Sequence, residues 1–151
     1  MEPIGGWLGR VAARYRMSVD ELAQLYGLEL AFDRLSNAWL LVRGIGGVTI
    51  EKLARLARVD AAVFDAMQGS PDGSMQQPQL AYCRACLFLN PLDVTSPCWK
   101  QEWLAPSARC CAIHAQPLTR LSITSLRTCG NFDMLLRVIS RRERHRRTRS
   151  S

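Results

Sequence analysis

Two short clusters, Cys83-Arg84-Ala85-Cys86 and Cys111-Ala112-Ile113-His114, stand 24 residues apart, and no other feature of this chain restricts its fold as strongly. Two residues between paired ligands let one tight turn aim both side chains at one ion. Three thiolates and an imidazole make a tetrahedral set suited to zinc. A site with four protein ligands is closed: it ties segments together and leaves no position open for chemistry. The other readings of such cysteines are buried apolar residues or a redox dithiol. A dithiol belongs at the strand-to-helix junction of a βαβ unit, a context the sequence pattern lacks. The expectation is therefore one structural Zn2+ held by Cys83, Cys86, Cys111 and His114. Cys110 adjoins Cys111, and Cys98 lies between the clusters. Cys111 keeps the two-residue spacing to His114, which makes it the better ligand and Cys110 the better core residue, although the register leaves the choice between them open.

The 24-residue spacer exceeds the roughly 12–15 residues of a DNA-reading Cys2His2 finger, and the second cluster pairs cysteine with histidine. The site thus reads as a clasp, not as a reading head. Trp99 and Trp103 lie within the spacer. Trp103 reads as core packing around a small metal unit; Trp99 is left between that role and stacking on a nucleobase.

Six cysteines in a chain whose first residues lack a basic-then-apolar leader pattern favour metal ligation in a reducing compartment, so the expectation is a cytoplasmic protein. No apolar run reaches the roughly 18 residues that a membrane helix needs. The 151 residues suit one domain, or two small units sharing a core.

Residues 1–68 carry helical patterns. Ile4, Trp7, Leu8, Val11, Ala12 and Tyr15 fall on one stripe. Ser18 with Glu21 forms a capping box for a helix that stops near Gly27. A third helix is expected through Phe32, Leu35, Trp39 and Leu40, ending before Gly44-Ile45-Gly46-Gly47. Thr49 is read as the cap of the next helix and Asp60 as the cap of one over Ala61–Met67. The segment Ser18–Glu29 matches Thr49–Asp60 in residue type at most positions, each with an acid in the first turn and then Leu-Ala-x-Leu. This echo reads either as plain packing of capped helices or as a helix-turn-helix-like unit. Residues 69–79, rich in Gly, Pro and Ser, form a linker. Residues 80–121 form the knuckle segment, interrupted by Pro91, Pro97 and Pro106. Phe132, Leu135, Leu136 and Ile139 mark a final helix over 122–140.

Formal charge is +7, unevenly placed: residues 141–151 hold six arginines against Glu143, a net of +5 that leaves +2 for the other 140 residues. Arg141, Arg142, Arg144, Arg146, Arg147 and Arg149 read as a disordered, sequence-independent phosphate clamp, the alternative being a merely solubilising end. Only Lys52 and Lys100 are lysines, and arginine suits bidentate phosphate contacts. Catalysis finds little support. His114 is committed to metal, His145 lies in the basic end, and the carboxylates form no acid–base pair. Gly44–Gly47 lacks the context of a phosphate loop. The chain reads as a non-enzyme.

In order, Trp7-Leu8-Gly9-Arg10-Val11-Ala12, Ser18-Val19-Asp20-Glu21-Leu22, Leu53-Ala54-Arg55-Leu56, Tyr82–Leu87, Trp103-Leu104 and Cys111–His114 leading to Pro117-Leu118 resemble the TniQ family of transposition proteins over most of residues 4–121. The resemblance implies a non-enzymatic targeting component that helps choose an insertion site. Its implied partners are DNA or a targeting complex and a transposition AAA+ ATPase. By position it implies the same four zinc ligands. Arg84 stands where the family often has proline, and Ala115 where it often has glycine after the histidine. Cys129-Gly130 looks like one knuckle without its partner.

Together these readings describe a mainly α protein: a helical N-terminal unit, an embedded zinc-knuckle segment, a C-terminal helix and a basic tail. The function expected is a zinc-containing adaptor in DNA transposition. The alternatives are a stand-alone DNA-binding regulator and a protein–protein interaction module without DNA binding. No membrane partner is expected, and the oligomeric state is open, a homodimer included.

Overall fold

The computed structural model describes residues 1–30, 38–42, 44–68, 79–89 and 99–150. Six α-helices occur among them: α1 (Ile4–Arg14), α2 (Val19–Tyr26), α3 (Gly47–Ala57), α4 (Ala61–Met67), α5 (Arg84–Leu89) and α6 (Phe132–Arg149). Two short strands, β1 (Ala81–Tyr82) and β2 (Thr119–Arg120), pair antiparallel with Ala81 opposite Arg120 and Tyr82 opposite Thr119. The mainly helical expectation holds.

The stripe of α1 divides in two. Ile4, Leu8 and Ala12, four residues apart, enter the core. Trp7 and Val11 are half-buried beside it, and Tyr15, expected on the same stripe, is 59% exposed. Burial is complete where α1 meets Trp39. A side chain at Gly9 would overlap the Trp39 ring, and one at Gly5 would overlap the Trp39 and Leu40 carbonyls. The indole N–H of Trp39 then donates 2.6 Å to the Cys129 carbonyl. Cys129-Gly130 is thus a core junction and not half of a knuckle. Gly130 packs on Ser18, its carbonyl accepts from the Val19 N–H at 2.7 Å, and burial pushes the Cys129 thiol up.

The capping box of α2 forms as expected: the Glu21 N–H donates to Ser18 Oγ at 3.0 Å and the Ser18 N–H to Glu21 Oε2 at 2.7 Å. Asp60 caps α4 through the Ala62 N–H at 2.9 Å. Thr49 does not cap α3. Gly46 occupies the cap position, and Thr49 is buried inside the first turn, because the helix begins earlier, at Gly47. Of the third expected helix, Phe32 and Leu35 lie outside the described residues, and Trp39–Leu41 forms a 3-10 turn. Residues 69–78 of the expected linker are also outside them, as are Cys98, Pro91 and Pro97.

The sequence echo is carried into the backbone at its C-terminal end. Gly27 (φ 61°, ψ 40°) and Arg58 (φ 55°, ψ 44°) occupy equivalent places and both adopt the left-handed conformation. The Leu28 N–H donates to the Ala23 carbonyl at 2.8 Å, and the Val59 N–H to the Ala54 carbonyl at 3.1 Å. Each bond satisfies carbonyls that the helix end would otherwise orphan. Leu22 and Leu53 are buried, whereas Leu25 and Leu56 remain in solvent.

The basic end, expected to be disordered, is helical. Residues 141–149 continue α6, an 18-residue helix capped by Asn131, whose Oδ1 accepts from the Met134 N–H at 3.1 Å. Leu135, Leu136 and Ile139 bury one face, and that face continues into the arginines through Glu143, which is 5% exposed. Helix C-termini favour cations within the last turn, which offsets part of the like-charge repulsion among arginines three and four residues apart.

Candidate metal centre and arginine helix

The first cluster begins where β1 ends. Cys83 follows the strand, Cys86 lies in the first turn of α5, and the Leu87 N–H donates to the Cys83 carbonyl at 3.1 Å. This is a strand-to-helix junction, but β1 pairs only with antiparallel β2, so the βαβ setting of a redox dithiol is lacking among the described residues. The second cluster is the tip of a hairpin. Cys110 bridges Pro117, the Leu118 N–H donates to the Arg109 carbonyl at 2.8 Å, and the Cys111 N–H to the Gln116 carbonyl at 2.9 Å. The Ala115 N–H closes the turn on the Cys111 carbonyl at 2.9 Å, with Ala115 at φ 51°. A glycine has no steric penalty at that angle and alanine does.

The β1–β2 ribbon brings the clusters together. The four ligand atoms lie within 4.8 Å of one another. Cys86 Sγ is 3.6 Å from Cys111 Sγ, and His114 Nδ1 is 3.6 Å from Cys83 Sγ, 3.2 Å from Cys86 Sγ and 3.9 Å from Cys111 Sγ. Zinc bond lengths give tetrahedral edges of about 3.8 Å between sulfurs and about 3.6 Å from sulfur to nitrogen. The donor set therefore fits one tetrahedral cation, and Cys83, Cys86, Cys111 and His114 could hold a metal ion.

The electrostatics agree with such a role. Burial pushes the Cys86 thiol up to about 12, reinforced by hydrogen bonds with Cys111 and Cys83. Burial opposes ionisation of Cys111 too, but hydrogen bonds from the His114 backbone and side chain and the Ile113 backbone outweigh it and bring the thiol down to about 6. A cation is what would let the sulfurs ionise together. Cys110, expected in the core, is exposed, because the hairpin turns Cys111 inward and its neighbour outward. Trp99 and Trp103 are both 1% exposed and 5.8 Å apart between ring centroids, with Trp99 also on Tyr82 and Phe132. Both are core residues, which removes base stacking by Trp99.

All six arginines from Arg141 to Arg149 are exposed on α6. Three residues that sequence reasoning missed hold this helix in place. The Tyr82 hydroxyl donates to Glu143 Oε1 at 3.0 Å, and Arg84 pairs with Glu143 Oε2. Arg84, Arg146, Arg147 and Ser150 line a shared depression. The only sequence signal was Glu143 itself, a lone acid among arginines in the helical register of Leu136 and Ile139.

The fold and site together define a mainly helical chain in which a Cys3His cluster that could hold a metal ion sits beside a basic terminal helix. The chain matches the TniQ family over residues 1–118 and belongs to it. That family acts in transposition as an accessory component and is not known as enzymatic. No match is found among curated proteins or among solved structures. The match spans both ligand clusters but ends before β2 and α6. No helix among the described residues is long and apolar enough to cross a membrane.

Proposed function

We propose that this protein is a zinc-containing, non-enzymatic adaptor that helps target-site selection in transposition by linking DNA or a targeting complex to the transposition ATPase. The observation that carries this reading is the placement of the arginine helix on the metal unit. Glu143 ties α6 to Tyr82 and Arg84, the two residues flanking Cys83, so a zinc ion at the clasp would also set the position of the cationic helix. A closed site supplies order and no open coordination position. From Arg141 to Arg149, eight helical steps of about 1.5 Å each would lay charge along about 12 Å of DNA backbone. A stand-alone regulator is less well supported. The helix-turn-helix-like candidate, α3 and α4, exposes Ala62, Val63, Asp65 and Ala66 on α4, and none of these is a base-reading donor of the Arg, Lys, Asn or Gln type.

The test combines metal analysis with binding. Protein purified without chelator is expected to carry one zinc per chain, and Cys83→Ser to lose it together with thermal stability. Binding to arbitrary duplex DNA should weaken steeply with salt and fall when Arg146, Arg147 and Arg149 are changed to glutamine. Those substitutions spare the buried Glu143, which deleting residues 141–151 would not. The protein should also co-purify with the ATPase of its own element. Failure to bind DNA at low salt together with failure to bind the ATPase would sink the adaptor reading.

A further inference from the structure

Apolar side chains left in solvent are informative when they gather. Tyr15 at the end of α1, Tyr26 of α2, Leu56 of α3, and Val59 and Val63 around α4 are 42–59% exposed, and all five line one groove of about 540 Å³. Its floor is the Trp7–Phe64 edge-to-face pair, 4.9 Å between centroids. The walls are helices, and no strand edge lies beside it among the described residues. This is the setting of a helix laid into a groove and not of an added strand.

Charge narrows the occupant. Arg10 and Arg14 line the groove, and Lys52 and Arg55 border an adjoining depression that shares Tyr26 and Leu56. Arg10 is engaged by Glu2 at 2.6 and 2.7 Å, and Lys52 donates to the Gly27 carbonyl at 3.0 Å. Arg14 and Arg55 are exposed. No carboxylate lines either depression among the described residues; Asp20, Glu21, Glu51 and Asp65 belong to the same helices but not to these walls.

We infer that this groove is a docking site for an amphipathic helix of a partner protein, apolar on one face and acidic along its flanks. Leu56 and Tyr26 meet the apolar face, and Arg14 and Arg55 meet the acids. The inference deepens the partner half of the adaptor reading and does not depend on the DNA half.

The probe is a labelled 16-residue helical peptide with leucines at i, i+3, i+4 and i+7 and glutamates on both flanks, titrated with the full chain. A second peptide carries lysine at every glutamate position. The glutamate peptide is expected to bind, more tightly at low salt, and the lysine peptide at least tenfold more weakly. Leu56→Asp, at a solvent-exposed position, should weaken binding at least tenfold while leaving DNA affinity unchanged. Arg14→Glu with Arg55→Glu should shift preference toward the lysine peptide. Equal binding of the two peptides, or no binding of the glutamate peptide, overturns the inference. So does a dimer in sedimentation that Leu56→Asp dissociates, which would assign the groove to a second copy. Loss of DNA binding by wild-type protein would count against the DNA half alone.

Discussion

Tyr82 and Glu143, 61 residues apart, meet through a buried 3.0 Å hydrogen bond from the tyrosine hydroxyl to the carboxylate. One residue precedes the first metal-ligand candidate and the other sits among six arginines. The contact joins the candidate metal cluster to the basic helix and gives that helix a buried anchor. A single acid inside a cationic run gives that run one buried face.

Replacing Glu143 with alanine leaves the buried Tyr82 hydroxyl without its acceptor and Arg84 without its partner. Stability in urea should fall by about 1–3 kcal/mol. Arg84, 43% exposed, accounts for little of it. Amide exchange should speed up selectively over residues 141–149. Unchanged exchange there would mean that Glu143 does not anchor the helix.

The same contact predicts a pH dependence. Burial raises the Tyr82 hydroxyl well above its ordinary value, with the Glu143 hydrogen bond and charge adding to the effect. An acid whose folded value is raised keeps its proton longer in the folded state. Its contribution is therefore complete below about pH 10 and is lost as pH rises further. Wild type should exceed Tyr82→Phe by about 1 kcal/mol near neutrality, and the gap should close above pH 10 in melts of the two proteins.

Cys110 and Cys111 separate cleanly. Cys111→Ser should lose the metal and lower the melting temperature, whereas Cys110→Ser, at an exposed position, should keep both. Atomic absorption on the two variants checks this, and metal loss from the Cys110 variant would reassign the ligand.

Ala115, at φ 51°, closes the second cluster in a conformation that costs alanine about 1–2 kcal/mol. Ala115→Gly should raise stability by up to about 1 kcal/mol, since the greater freedom of glycine in the unfolded chain offsets part of the relief. Chemical denaturation of metal-loaded protein measures it.

Gly9→Ala should destabilise by about 1–3 kcal/mol despite the better helix propensity of alanine, because the new methyl overlaps the Trp39 ring. A melt equal to wild type would show that Trp39 can shift at no cost.

Much of this protein was written locally. The two-residue ligand spacings, the Ser18–Glu21 box, the Asp60 cap and the Gly27 stop depend on neighbours within a turn, so the sequence alone specified them. The two candidate ligand pairs were legible for the same reason, as each pair is a single turn. What the sequence could not decide involved partners far along the chain. Cys129 looked like a stray ligand until its carbonyl met the indole of Trp39, 90 residues away. Cys110 and Cys111 differ in burial only because a hairpin bridge at Pro117 turns one inward. Glu143 counted as one charge against six until Tyr82 covered it. Local hydrogen bonding and periodicity set the helices and the ligand pairs. Long-range burial, which rewards or penalises a residue only once distant segments meet, decided which cysteines turn inward, why the arginine helix is ordered, and which apolar side chains were left outside.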